Sequence, residues 1–162
     1  MMGEQRYKPK YFQPYELIPP ELYTYDMMVS EAARERAYEM LDEKLLITID
    51  IIREKIIKAP LICNTWYQDG NRKYSGLRPA DCAIGAPKSQ HKLGKAVDLL
   101  CNKYTAEEMR QMIEQNQHLL PYPIRIEKDV WWCHLDTKER TRGPHCNDKI
   151  LYFKGLYENQ SL

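Results

Sequence analysis

The run Ser89-Gln90-His91-Lys92-Leu93-Gly94-Lys95-Ala96-Val97-Asp98 places an imidazole and a carboxylate seven residues apart. Fully extended, that separation would cover about 23 Å, whereas two ligands of one ion must bring their donor atoms within a few ångström. The chain therefore has to reverse between His91 and Asp98. Gly94 admits the positive φ or close backbone approach that a reversal needs, and Ala96 is small enough to leave room beside an ion. On the strand that follows, Ala96, Asp98 and Leu100 share one face while Val97 and Leu99 share the other. Asp98 is thus a polar residue projecting from an otherwise apolar strand. Taken alone, the run is equally satisfied by a His91–Asp98 hydrogen bond that stabilises a turn.

A second run, Trp131-Trp132-Cys133-His134-Leu135-Asp136, shifts that balance. Read as a strand, it turns Trp132, His134 and Asp136 one way and Trp131, Cys133 and Leu135 the other. His134 then supplies a third ligand. Two nitrogens and one carboxylate form a set that leaves a fourth position on Zn²⁺ for water. Glu127, on the preceding strand, can meet that water as general base.

These residues resemble a known family. Ser89-x-His91-x-x-Gly94-x-Ala96-x-Asp98 followed by Trp132-x-His134 is similar to the motif of the zinc D-Ala-D-Ala carboxypeptidase and L-alanyl-D-glutamate endopeptidase family, in the hedgehog/DD-peptidase superfamily. Ser75-Gly76-Leu77-Arg78 resembles the Ser-Gly-x-Arg turn that precedes the first histidine there, and the match spans residues 61–136. Tyr15-Glu16-Leu17-Ile18-Pro19-Pro20 and Asn64-Thr65-Trp66 resemble phage-encoded members. The resemblance implies a zinc peptidase acting on peptidoglycan stem peptides, of the phage endolysin kind. His91, Asp98 and His134 would bind the metal. Arg78 would stand near the substrate carbonyl or carboxylate, with Ser89 and Trp132 also on the substrate side. The sequence departs from the family in its acid: familiar members carry glutamate three residues before the last histidine, where this chain has Trp131. Other members place it on the neighbouring strand, which favours Glu127, with Asp129 and Asp136 as alternative bases. Asp136 also suits a role as hydrogen-bond partner that orients a ligand imidazole. The missing glutamate keeps open a second function, a non-catalytic zinc-containing binding or virion structural module of the same fold.

Other conspicuous residues have plainer readings. Arg78 in a glycine-rich loop can pair with Asp69 or Asp81. Trp131 and Cys133 read as core packing, and Cys133 as a thiolate ligand is the weaker alternative. His145-Cys146-x-Asp148 contains ligand types but follows a Gly143-Pro144 turn and has no second half-site, so it reads as structural. His118, beside Leu119 and Leu120, reads as a capping or packing histidine.

The elements that must position the site follow from periodicity. Leu41, Leu45, Ile49, Ile52 and Ile56 recur at helical spacing and predict a helix over residues 42–58, ended by Pro60. Leu61-Ile62-Cys63 reads as a short buried strand, and residues 64–86 as a long polar loop of the kind that is usually functional. A strand is expected over residues 95–101. Thr105 with Glu108 forms a capping box opening a helix to about Gln115. Strands are expected at residues 124–126 and 130–135. Tyr11 to Tyr25, broken by three prolines, reads as an irregular segment covering one side of the core. This order indicates an α+β fold, a small antiparallel sheet flanked by helices.

At 162 residues and 43% hydrophobic composition, the chain is expected to be one metallopeptidase-like domain over residues 11–162 behind a flexible extension at residues 1–10. Its 24 basic and 23 acidic side chains leave a charge of +1 without a long single-sign run, so no nucleic-acid partner is expected. No apolar stretch is long enough to span a bilayer, and charges and prolines stand where a signal peptide would have its apolar core. The expectation is a monomer made in the cytoplasm that reaches the cell wall when another protein gives it access. Five cysteines without a Cys-x-x-Cys pair argue for free thiols rather than a disulfide framework or a four-cysteine zinc site.

Overall fold

A computed structural model describes residues 5–139 and 148–155, so His145 and Cys146 lie outside the described residues. The fold is α+β. Short helices α1 (Pro14–Leu17), α2 (Tyr25–Val29) and α3 (Glu31–Ala37) lead into α4 (Glu43–Ile51), and α5 (Ala106–Gln115) packs on the other side of the chain's midpoint. Four strands, β1 (Ala96–Leu99), β2 (Ile124–Lys128), β3 (Cys133–Asp136) and β4 (Ile150–Lys154), form one sheet in the order β1-β3-β2-β4.

The apolar repeat of α4 buries Leu45, Leu46 and Ile49 completely, each stabilising the fold by about 1.5–3 kcal/mol. The helical run continues past α4 as a π-helical segment, Ile52–Ile57. It stops at Lys58, which adopts a left-handed conformation (φ 56°), two residues before Pro60, whose ring disfavours helix in the residue ahead of it. In α5 the expected capping box is formed: Thr105 accepts from the Glu108 N–H, and Glu108 accepts from the Thr105 N–H. This helix packs on the π-helical segment and on β3, closing the core behind the sheet.

Residues 12–18 cover one side of that core, with Phe12, Leu17 and Ile18 fully buried. Within this segment α1 is a single turn whose Glu16 carboxylate accepts from the Gln13 N–H at 2.6 Å. Of the extension expected at residues 1–10, residues 5–10 are described: the Tyr7 hydroxyl and the Lys10 N–H both donate to Asp50 of α4, at 2.5 and 2.7 Å. No described helix is long and apolar enough to cross a membrane. Cys63, Cys82, Cys101 and Cys133 are free thiols.

Three expectations need correction. The sheet is mixed rather than antiparallel: β2 and β3 are antiparallel, but β4, arriving after β3, lies on the far side of β2 and runs parallel to it. No element was expected at residues 150–154, and that strand supplies the sheet's edge. Trp131 is not core packing; it is 70% exposed and meets Trp132 edge-to-face. The physical reason is that β3 begins only at Cys133. The Arg110 guanidinium of α5 takes the Val130 and Trp132 carbonyls, at 3.1 and 3.0 Å, so strand alternation never reaches Trp131.

Candidate metal centre

The sheet register sets polar residues side by side on one face. Asp98 on β1 lies opposite His134 on β3. Two pairs further along, Ala96 faces Asp136, which faces Arg125 on β2, which faces Leu151 on β4. Glu127, two residues on from Arg125, shares this face and lies opposite Phe153. The opposite face carries Val97, Leu99, Ile124, Ile126, Cys133 and Leu135, all in the core. Period-two alternation thus gives the sheet one apolar and one chemically equipped face.

His91 reaches this face from a 3₁₀ turn, Gln90–Leu93. Ser89 caps it by accepting from the His91 N–H at 3.2 Å. The reversal required by the sequence falls at Gly94, with φ 69°. A Cβ there would stand 2.3 Å from the Met40 carbonyl oxygen, so only glycine fits. Asp98 is fixed through its backbone as well: its N–H donates to the Ser75 carbonyl at 2.7 Å, and its carbonyl accepts from Arg72 at 2.7 Å.

His91, Asp98 and His134 are all buried, and their donor atoms converge. Nε2 of His91 is 3.3 Å from Nδ1 of His134 and 3.3 Å from Oδ1 of Asp98, and Nδ1 of His134 is 2.8 Å from that oxygen. Tetrahedral ligands at about 2.0–2.1 Å from a metal stand about 3.3 Å from one another. The triangle therefore fits three ligands of one ion. The other nitrogens are committed elsewhere. Nδ1–H of His91 donates to the Gly76 carbonyl at 2.8 Å, and Nε2–H of His134 donates to Asp136 at 2.9 Å. Each bond leaves the inward-facing nitrogen as the ligand.

The electrostatics agree with a cation site held by acids. Burial pushes His91 below its ordinary value, which keeps it neutral. Burial also acts downward on His134, but hydrogen bonds to Asp136 and Asp98 outweigh it and hold the imidazole up to about 9. Burial alone would raise Asp98, yet the two imidazoles hold it well below the usual carboxylate range. Glu127 is raised, chiefly by burial. Its Oε2 is 4.0 Å from Nδ1 of His134, beside the donors but outside their triangle.

Arg78 is brought to the centre: its guanidinium lies 3.3 Å from Oδ2 of Asp98 and also donates to the Tyr74 and Ile84 carbonyls. Its acidic partner is therefore Asp98, and neither Asp69 nor Asp81 pairs with it among the described residues. Trp132, Glu127, Arg78 and Ser89 all line a cleft of about 770 Å³ over the centre. Asp129 does not: its side chain is 59% exposed and pairs with Lys154 at 3.6 Å. Asp136 is fully buried and accepts both Nε2–H of His134 and a two-pronged contact from Arg125. That is the orienting role rather than that of a base. Cys133 faces the core, where burial pushes its thiol up to about 12.

Sequence reasoning missed Arg72, Arg125 and Phe153. Arg125 had a signal, since polar Arg125 and Glu127 alternate with Ile124 and Ile126 on one strand. Searches for related proteins return no family model, no curated protein and no solved structure that matches the chain.

Proposed function

We propose that the chain is a zinc-dependent peptidase that hydrolyses peptidoglycan stem peptides. The observation that carries this reading is the buried His91–Asp98–His134 donor triangle with a fourth carboxylate, Glu127, 4.0 Å from one of its donors at the floor of an open cleft. The motif resemblance over residues 75–78, 89–98 and 132–134 supports the choice of metal and substrate. A bound divalent cation supplies Lewis-acid chemistry, polarising a carbonyl and acidifying water.

The chain's own residues supply the rest. Glu127, its carboxyl raised by burial, is suited to take a proton from water and return it to a leaving amine. Arg78 lines the same cleft with its guanidinium held by Asp98 and by the Tyr74 and Ile84 carbonyls. That fixed positive charge can favour the charge that develops on a carbonyl oxygen over the neutral ground state. Asp136 holds the orientation of His134, and Trp132 offers the cleft an apolar wall.

The test is digestion of purified peptidoglycan by zinc-loaded protein and by a His134→Ala variant, with fragments and new amino termini read by mass spectrometry. New termini with the wild type alone are expected. If the wild type binds zinc stoichiometrically and releases none, the non-catalytic zinc module replaces the peptidase.

A further inference from the structure

We propose that Arg125 and Phe153 are positioning residues of the metal centre, a clamp that fixes the His134 ring with Nδ1 toward Asp98 and His91. The inference rests on the reading that these three residues hold a divalent cation. An imidazole can bind through either nitrogen, and rotation about its ring bond exchanges them. A centre built on Nδ1 of His134 therefore needs that rotation blocked.

Four contacts close a circuit around the ring. Nε2–H of His134 donates to Oδ2 of Asp136 at 2.9 Å. Both oxygens of Asp136 accept from Arg125, from Nε and from an Nη, each at 2.8 Å. Two parallel bonds from a planar guanidinium fix the carboxylate plane as well as its position. The guanidinium carbon of Arg125 sits 4.2 Å from the centroid of the Phe153 ring. Phe153 returns to the start, meeting the His134 ring edge-to-face at 5.6 Å and 84°. The histidine is thus held by Asp136 at Nε2, on the side away from the donor triangle, and walled by an aromatic ring, while Nδ1 faces Asp98. Asp136 lies two residues further along the same strand and is itself held by Arg125 from β2, while Phe153 comes from β4.

The register makes the circuit possible. Arg125 lies opposite Asp136, and Phe153 lies opposite Glu127, so strand β4 delivers its aromatic ring over the row that contains His134. Arg125 lines the cleft, which would also suit a receptor for a substrate anion. Its donors are already directed at Asp136, however, and its side chain is only 18% exposed. Orientation of Asp136 is the role the geometry favours.

The experiment uses the full chain, stripped of metal and titrated with Zn²⁺ against a chromophoric chelator and with Co²⁺ followed by visible absorption. Arg125→Met is expected to lower Zn²⁺ affinity about 10–100-fold, the range for lost partners of metal-bound histidines. Arg125→Lys recovers only part of this, because an ammonium cannot supply two parallel N–H bonds. Phe153→Leu costs about fivefold, the size of one cation–π contact, and shifts the Co²⁺ bands. The double variant loses less than the product of the two single losses, since the two residues touch each other and restrain one imidazole. If Arg125→Met does not fold, Phe153→Leu carries the test by itself. Variants that lower the melting temperature of the metal-free protein yet keep wild-type affinity and Co²⁺ spectrum overturn the clamp. A wild type that binds neither ion overturns the clamp and the metal reading together, whereas wild-type binding with unchanged variants overturns the clamp alone.

Discussion

Glu127, Asp129 and Asp136 carry the same functional group in different surroundings, and the surroundings give each a different consequence on amidation. Glu127 is buried beside the donor triangle, accepts from no described donor at hydrogen-bond distance, and has its carboxyl raised by desolvation. Glu127→Gln is expected to leave metal affinity near that of the wild type and to lower turnover about 10²–10⁴-fold, the usual contribution of a positioned acid–base group. The wild-type pH–rate profile should carry an acidic limb from this carboxylate, and the Gln variant should lose it. Asp136 is spent on His134 and Arg125. Asp136→Asn should therefore act on the metal, weakening affinity about 10–100-fold before any effect on chemistry is read. Asp129, exposed and paired with Lys154, should change neither quantity when converted to Asn. Steady-state rates on a stem-peptide substrate, with metal content measured on the same samples, separate the outcomes; full activity in Glu127→Gln would remove Glu127 as the base.

At the scale of elements, the turn that carries Gly76 shows how remote segments set the centre. Gly76 accepts from Nδ1–H of His91, while its own backbone rides directly on α1: a Cβ at residue 76 would stand 2.1 Å from the Leu17 carbonyl oxygen. That same oxygen accepts from the Leu77 N–H at 2.8 Å, and Asn64 ties the turn further, bonding the Ser75 N–H and the Ile18 carbonyl, each at 3.0 Å. Backbone cannot yield as a flexible side chain can, so Gly76→Ala must lift the turn. The expected cost is about 1–3 kcal/mol in urea unfolding of the metal-free protein, with a further loss of metal affinity as the carbonyl leaves His91. Much of this site was legible beforehand. The spacing of His91, Gly94 and Asp98 demanded a reversal, alternation aimed His134 and Asp136 together, and the Thr105–Glu108 box opened its helix where expected. Those signals are local, carried within one turn or one strand. What stayed hidden depends on pairing between distant segments. Ile150-Leu151-Tyr152-Phe153-Lys154 has no alternation of its own, and only its parallel register with β2 brings Phe153 over His134. Trp131 was misread for the same reason: Arg110, about twenty residues away in sequence, ends the strand before reaching it.

The whole molecule feels the centre through proton linkage, because the metal and a proton compete for one nitrogen of His134. In the metal-free fold Asp136 and Asp98 hold His134 at about 9 against an ordinary 6.5. A folded-state value above the unfolded one means that the stability from this contact is fully present below pH 6.5 and is lost as pH rises through about 9. Asp98 and Asp136 are held below their ordinary 3.8, so their contribution is present above that value and fades as pH falls. His91, held below its ordinary 6.5 by burial, costs stability as pH falls below that value. The metal-free protein should therefore melt highest toward the upper end of the window between those limits and progressively lower toward pH 9. Metal binding has the opposite slope. Below about pH 9 each ion taken up must expel the proton from His134, so affinity climbs about tenfold per pH unit and then levels off. Each tenfold gain at fixed metal concentration adds about 1.4 kcal/mol of stability. The melting temperature with excess Zn²⁺ minus that with a chelator should accordingly widen from pH 6.5 to 9, even as the chelated protein weakens. A thermal-shift series over that range reads both slopes at once. A difference that is flat or narrows with rising pH would mean that no proton leaves His134 on binding, and that Nδ1 of His134 is not a ligand.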